Sequence, residues 1–121
     1  MRMKLCLLAL AIVALSAPEA LACRVPRIKT IEGQTVTGYM FATSGRRCGI
    51  KVRNSRGPTL STSLVSAAKN GTVVVSGGRV GYTSKPGFAG DDSFRYARRG
   101  LNKQNEPVVR TINVLVKVEA K

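Results

Sequence analysis

Six carboxylates stand in the 121 residues, Glu19, Glu32, Asp91, Asp92, Glu106 and Glu119, and there is no histidine. Without imidazole the commonest general base and the commonest nitrogen metal ligand are both missing. A glycosidase needs two carboxylates facing each other across a cleft. Asp91 and Asp92, as neighbours on an extended chain, point to opposite sides. Ser66-Ala67-Ala68-Lys69 matches the S-x-x-K of penicillin-recognising enzymes, but that motif works from a helix with partner motifs in a far larger fold. Gly77-Gly78-Arg79-Val80-Gly81 has the glycines of a phosphate loop and no following helix to present its N-terminus. Asn70-Gly71-Thr72 fits the glycosylation acceptor pattern, and a turn role accounts for it equally well. The expectation is a protein that is not an enzyme and holds neither cofactor nor metal.

The cysteines carry a different chemistry. Met1-Arg2-Met3-Lys4 is a positive start, Leu5 to Leu15 an uncharged run, and Ala20-Leu21-Ala22 a small-x-small cleavage site. This is the tripartite pattern of a secretory signal, and the run is too short for a hydrocarbon core that needs about 20 apolar residues. Cleavage after Ala22 divides the chain into a signal peptide, 1–22, and one domain, 23–121. Cys6 leaves with the signal, and Cys23 with Cys48 is then most simply a disulfide in an oxidising compartment. The loop it closes contributes about 3 kcal/mol in the chain-entropy account. The competing expectation is lipidation of Cys23 as an outer-membrane lipoprotein, which would leave Cys48 unpaired. The position three residues before Cys23 is Ala20 rather than the usual leucine. Periplasmic or secreted localisation follows in either case.

The elements that must position these groups have period two. Val108 to Glu119 alternates, with Ile112, Val114, Val116 and Val118 facing one way and Thr111, Asn113, Lys117 and Glu119 the other. Leu115 breaks the polar face. Asp92 to Arg98 alternates too: Phe94 and Tyr96 face the core, and Ser93, Arg95 and Ala97 face out. Gly100 to Glu106 reads as a polar hairpin loop, and Thr72–Ser76, opened by the Asn70-Gly71 turn dipeptide, turns at Gly77-Gly78 into Arg79–Thr83. Thr59–Ala67 is a weaker strand after the Gly57-Pro58 breaker. Further strands are expected near Val25–Thr30, Gln34–Phe41 and Cys48–Arg53, with a turn at Ser44-Gly45. Seven or eight short strands with turns every eight to twelve residues indicate an all-β antiparallel sandwich.

Tyr82-Thr83-Ser84-Lys85-Pro86-Gly87-Phe88-Ala89-Gly90-Asp91-Asp92-Ser93-Phe94-Arg95-Tyr96 resembles the Y-T-P-x-P-G-F-x-G-x-D-S-F-x-Y stretch of bacterial immunoglobulin-like and cadherin-like extracellular domains. Lys69-Asn70-Gly71-Thr72-Val73 resembles that family's NGTV strand opening, and the likeness runs over residues 69–118. It implies an immunoglobulin-like sandwich with Tyr82, Pro86, Gly87, Phe88, Gly90, Asp92, Phe94 and Tyr96 as its signature. The residues read the same way. Pro86 and Gly87 make a turn, Phe88 plugs the core edge, and Gly90 allows a second bend. Asp92 and Ser93 serve loose backbone N–H groups. Ser84 stands where the family often has proline, and Ala97-Arg98-Arg99-Gly100 puts cations where some members have a calcium-binding aspartate. Calcium needs several oxygens, and Asp91 with Asp92 beside Arg95 make a poor cage.

The net charge is +14, from 20 Lys and Arg against 6 Asp and Glu, and removal of Arg2, Lys4 and Glu19 changes it by one unit. Such a surface attracts polyanions, among which nucleic acid is the least accessible to an exported protein. Two clusters stand out: Arg46, Arg47, Lys51, Arg53 and Arg56, and then Arg95, Arg98, Arg99 and Lys103. In an immunoglobulin-like topology these segments are the third strand and the last hairpin, which share a sheet. The expectation is one cationic face able to capture phosphate or carboxylate through arginine. Two functions follow: an exported, non-catalytic interaction or structural module of the cell envelope with a protein or envelope partner, and a cationic binder of anionic envelope components such as lipopolysaccharide phosphate or acidic polysaccharide. The competing account of the same cations is a merely solvated surface.

Overall fold

A computed structural model of the chain describes residues 23–53 and 57–121. The signal peptide expected over 1–22, and Arg56, lie outside the described residues. The described residues form eight strands: β1 (Cys23–Arg24), β2 (Thr35–Thr43), β3 (Cys48–Lys51), β4 (Thr59–Ser66), β5 (Gly71–Ser76), β6 (Arg79–Ser84), β7 (Gly90–Leu101) and β8 (Pro107–Glu119). They form a five-stranded sheet in the order β1-β2-β8-β7-β4 and a three-stranded sheet in the order β3-β6-β5. The result is the β-sandwich that the alternation predicts, of the immunoglobulin-like kind that the resemblance implies.

The core is the inner face of both sheets. Ile112, Val114, Val116 and Val118 of β8 are all buried, as are Phe94 and Tyr96 of β7, Val80 and Tyr82 of β6, and Met40 of β2. Tyr82 and Phe94 stack at 5.9 Å between ring centroids, and Phe94 and Tyr96 at 6.3 Å. These three rings bridge the sheets where no tryptophan is available. Leu115, the exception on the polar face, is 41% exposed and lies opposite Tyr39 of β2, so two apolar side chains shelter each other on the outer surface. Ala97 faces outward between Ser63 and Thr111, as its parity requires, yet is buried, because so small a side chain leaves little surface between two flanking strands.

Three features differ from the expectation. β2 and β8 pair in parallel; the other strand pairs are antiparallel. β2 and β8 are far apart along the chain and not joined by a tight turn, so nothing forces them to run in opposite directions. The strand expected over Val25–Thr30 does not form; the two residues before it, Cys23–Arg24, make the short β1 instead. Pro26 supplies no N–H, and Ile28 instead reaches inward over Gly38 and Ile112 to cover the core. Asn70-Gly71 does not form a hairpin turn. The chain there crosses from β4 in one sheet to β5 in the other, and the glycine is required by the approach of Thr83 and Tyr82.

The signature stretch sits at the crossing from β6 to β7. Gly87 has φ +85° and the Phe88 amide donates to the Lys85 carbonyl at 3.1 Å, the geometry of a turn with proline first and glycine second. Phe88 packs against the core, its ring lying over Gly90. Asp92 is the latch: its carboxylate accepts from the backbone N–H of Lys69 (3.0 Å), Asn70 (3.0 Å) and Ser93 (2.9 Å) and from the Tyr82 hydroxyl (2.8 Å). Ser93 takes no such part; its own N–H is one of the groups Asp92 serves. A carboxylate that already receives four donors is spent as a structural group.

Candidate anion-binding site

The disulfide fixes where the first cation-bearing segment lies. Cys23 and Cys48 are joined with S–S at 2.04 Å, tying β1 of the larger sheet to β3 of the smaller. With its sulfur committed, Cys23 has no thiol for a lipid thioether, and the lipoprotein alternative loses its attachment point. The residues after Cys23 then run across the open end of the sandwich. Cys48 opens the third strand, as expected, but that strand pairs with β6 and not with β7.

That pairing divides the expected cationic face. β3, with Lys51, belongs to the three-stranded sheet and β7 to the five-stranded one. Arg95 and Arg99 are exposed on the outer face of the larger sheet, opposite Asn113 and Val109. Lys103 is exposed in the β7–β8 loop, and Arg46 at the Ser44-Gly45 turn, where its amide donates to the Thr43 carbonyl. The structure gathers Lys51, Arg53 and Arg98 of the expected set in one place, and adds Arg27. The four line one cavity of about 310 Å³ at the end of the sandwich. Val25, Pro26, Ile28, Ile50 and Val52 give it apolar walls, and Tyr96 closes its inner side.

Arg98 is held in place from within. Its Nη2 donates to the Arg53 carbonyl at 2.6 Å and to Thr59 Oγ1 at 3.1 Å, and its Nε to the same hydroxyl at 3.3 Å. Across β8 it stands opposite Arg110. Burial pulls the Arg98 pKa below the ordinary value, the charge of Arg110 adds to that, and Tyr96 opposes it. Arg110 is 5% exposed and answered by Glu32 at 3.4 Å and by Thr30 Oγ1 at 3.2 Å. Glu32 also accepts from Asn102, the buried residue that organises the β7–β8 loop. The nearest acid is thus consumed by Arg110, and no carboxylate lines the cavity.

Tyr96 is 3% exposed. Burial pushes its hydroxyl up to about 12, against a smaller opposing pull from Arg98. It is therefore a neutral donor at any ordinary pH. Among the described residues nothing hydrogen-bonds to it.

A second cationic group, Arg47 and Lys51 of the expected set joined by Arg79, which lies outside it, covers the outer face of the smaller sheet. Lys51 stands opposite Arg79 and Gly49 opposite Gly81. The Arg79 guanidinium lies across Gly49 and that of Arg47 across Gly81; a Cβ on Gly81 would come within 2.7 Å of Arg47 Nε. Two glycines thus make beds for two guanidiniums. Among the described residues the ion pairs are Arg110–Glu32 and Lys117–Asp91, and neither involves this face. The signal available in the sequence was the pairing of Gly49-x-Lys51 with Arg79-x-Gly81, legible only once the register is known.

Comparison with known proteins adds the family. A sialyltransferase structure from Photobacterium damsela is similar over 72% of this chain and 18% of its own, at 14% identity and a TM-score of 0.43, a likeness too low to carry any argument. No curated protein matches the chain. The profile of the family described as "Bacterial Ig domain" matches residues 18–109, which takes in the disulfide, the Asp92 latch and both cationic groups. The chain belongs to the bacterial Ig domain family.

Proposed function

We propose that this protein is an exported, non-catalytic interaction module of the bacterial cell envelope that engages an acidic partner through its cationic surface. The observation that carries the reading is the unanswered charge of Arg47, Lys51 and Arg79, gathered on one sheet face with no carboxylate paired to it among the described residues. Like charges set opposite each other on a sheet cost stability, and an anionic partner would relieve that cost. The secretory pattern of residues 1–22 and the disulfide support export to the periplasm or beyond. Acidic polysaccharide and lipopolysaccharide phosphate are the polyanions met there. Retention of the protein on immobilised heparin, used as a general polyanion, tests the reading at about 50 and about 500 mM salt, where the screening length falls from more than 10 Å to less than 5 Å. Strong retention at low salt, weakened by Arg47→Glu with Arg79→Glu, is expected. Retention indifferent to salt and to both reversals would point instead to a partner recognised without charge.

A further inference from the structure

We propose that the cavity at the open end of the sandwich is a built site for one anionic sugar unit, a sugar acid or sugar phosphate. The inference deepens the reading above and rests on it for the charge class of the partner, but it concerns a different part of the molecule. Arg27, Lys51, Arg53 and Arg98 converge on the cavity with no carboxylate among its lining residues. Tyr96, 3% exposed, lines the same space, and its hydroxyl meets no partner among the described residues. A buried hydroxyl left unpaired costs free energy, and here it sits beside a half-buried guanidinium whose remaining partners are a carbonyl and a hydroxyl. A cluster of cations without a carboxylate is complementary to an oxyanion.

The size of the cavity says that the anion does not come bare. About 310 Å³ is roughly ten times the volume of one liquid water, far more than a phosphate or carboxylate fills. The rest of the wall is apolar, from Pro26, Ile28, Ile50 and Val52, and suits the C–H face of a sugar ring. The acidic substituent then points inward to Arg98 and Tyr96, while Arg27 and Arg53 close the rim. Tethering of Arg98 to Thr59 and to the Arg53 carbonyl holds its guanidinium ready before the ligand arrives.

The test uses the full-length chain in its oxidised form, titrated with glucuronate, glucose 6-phosphate, inorganic phosphate and neutral glucose and followed by nuclear magnetic resonance shifts. Saturable shifts at Tyr96 and around β3 with glucuronate or glucose 6-phosphate, and none with glucose, are expected. Whichever of the two binds more tightly identifies the source as sugar acid or sugar phosphate. Tyr96→Phe, which keeps the stacked ring, and Arg53→Gln are each expected to weaken binding about tenfold, the loss of one charge-assisted hydrogen bond. Arg98→Gln removes an internal tether as well, so the first two variants carry the test. Inorganic phosphate binding as tightly as the sugar phosphate would overturn the sugar assignment. Absence of saturable shifts with any of the four, or unchanged affinity in both variants, would overturn the site. Heparin retention should survive Tyr96→Phe, so failure of this proposal and failure of the surface reading are separable.

Discussion

Asp92 shows how much of this domain hangs on one side chain. Each of its two oxygens accepts two hydrogen bonds, one from the Tyr82 hydroxyl and three from backbone amides at the crossings between sheets. Asp92→Asn keeps the shape, removes the charge and turns one acceptor into a donor aimed at other donors. A destabilisation of about 2–4 kcal/mol is expected in urea unfolding, since a charge-assisted bond is lost and buried donors are left unpaired. Tyr82→Phe leaves the carboxylate its three amide partners and should cost about 1 kcal/mol. The tyrosines also set an alkaline limit. Burial, with the Asp92 hydrogen bond and charge behind it, raises the Tyr82 hydroxyl well above the ordinary tyrosine range, and burial raises Tyr96 to about 12. The folded state therefore holds these protons when the unfolded chain, with tyrosine near 10, has released them. Stability is unaffected below about pH 10 and falls as pH rises through that value toward the folded pKa. Urea midpoints measured from pH 8 to 12 should decline only in the upper half of that range, and Tyr96→Phe should flatten the decline.

At the scale of elements, the turn that launches β7 has a defined cost. Gly87 takes φ +85°, a conformation that opposes a Cβ by about 1–2 kcal/mol. Gly87→Ala should lower stability by that amount in chemical denaturation, while Ala89→Gly, two residues on, should cost less than 1 kcal/mol. Pro86-Gly87 was readable because turn chemistry is local, and so was β8, whose four inward aliphatics alternate without a break. The N-terminal third was not. Whether Val25–Thr30 forms a strand depends on which neighbour Ile28 meets, and that neighbour, Gly38, is on a different element. Cys48–Lys51 is the third strand as expected, but it pairs with β6 in the smaller sheet, so its cations lie in a different sheet from those of β7, and pairing partners are not legible in a strand count. The site suffered accordingly: Lys51, Arg53 and Arg98 were named, Arg27, Arg79 and the unpaired Tyr96 hydroxyl were not. A charge cluster in sequence says where cations are dense, whereas a site needs the register that decides which of them meet.

The whole molecule is held between two sheets with few covalent or ionic ties, and the Cys23–Cys48 bond is the one that joins them outright. Its two ends are 25 residues apart, and freeing that loop in the unfolded chain should cost about 3 kcal/mol. For a domain this small, with stability of roughly 5–10 kcal/mol, that is a large fraction of the total. The effect should also be local. Cys23 lines the cavity, and the segment from Val25 to Thr30 that walls it follows directly from the bridged residue. Ile28 over Gly38 and Thr30 against Arg110 remain as non-covalent anchors after reduction, so the segment should loosen from its Cys23 end first. Reduction with dithiothreitol is expected to lower the urea midpoint and to speed amide hydrogen exchange over 24–28 well before exchange rises in β7 and β8. Unchanged exchange in that segment on reduction, at a lowered midpoint, would mean that the bridge acts only on the unfolded chain and that the cavity wall stands without it.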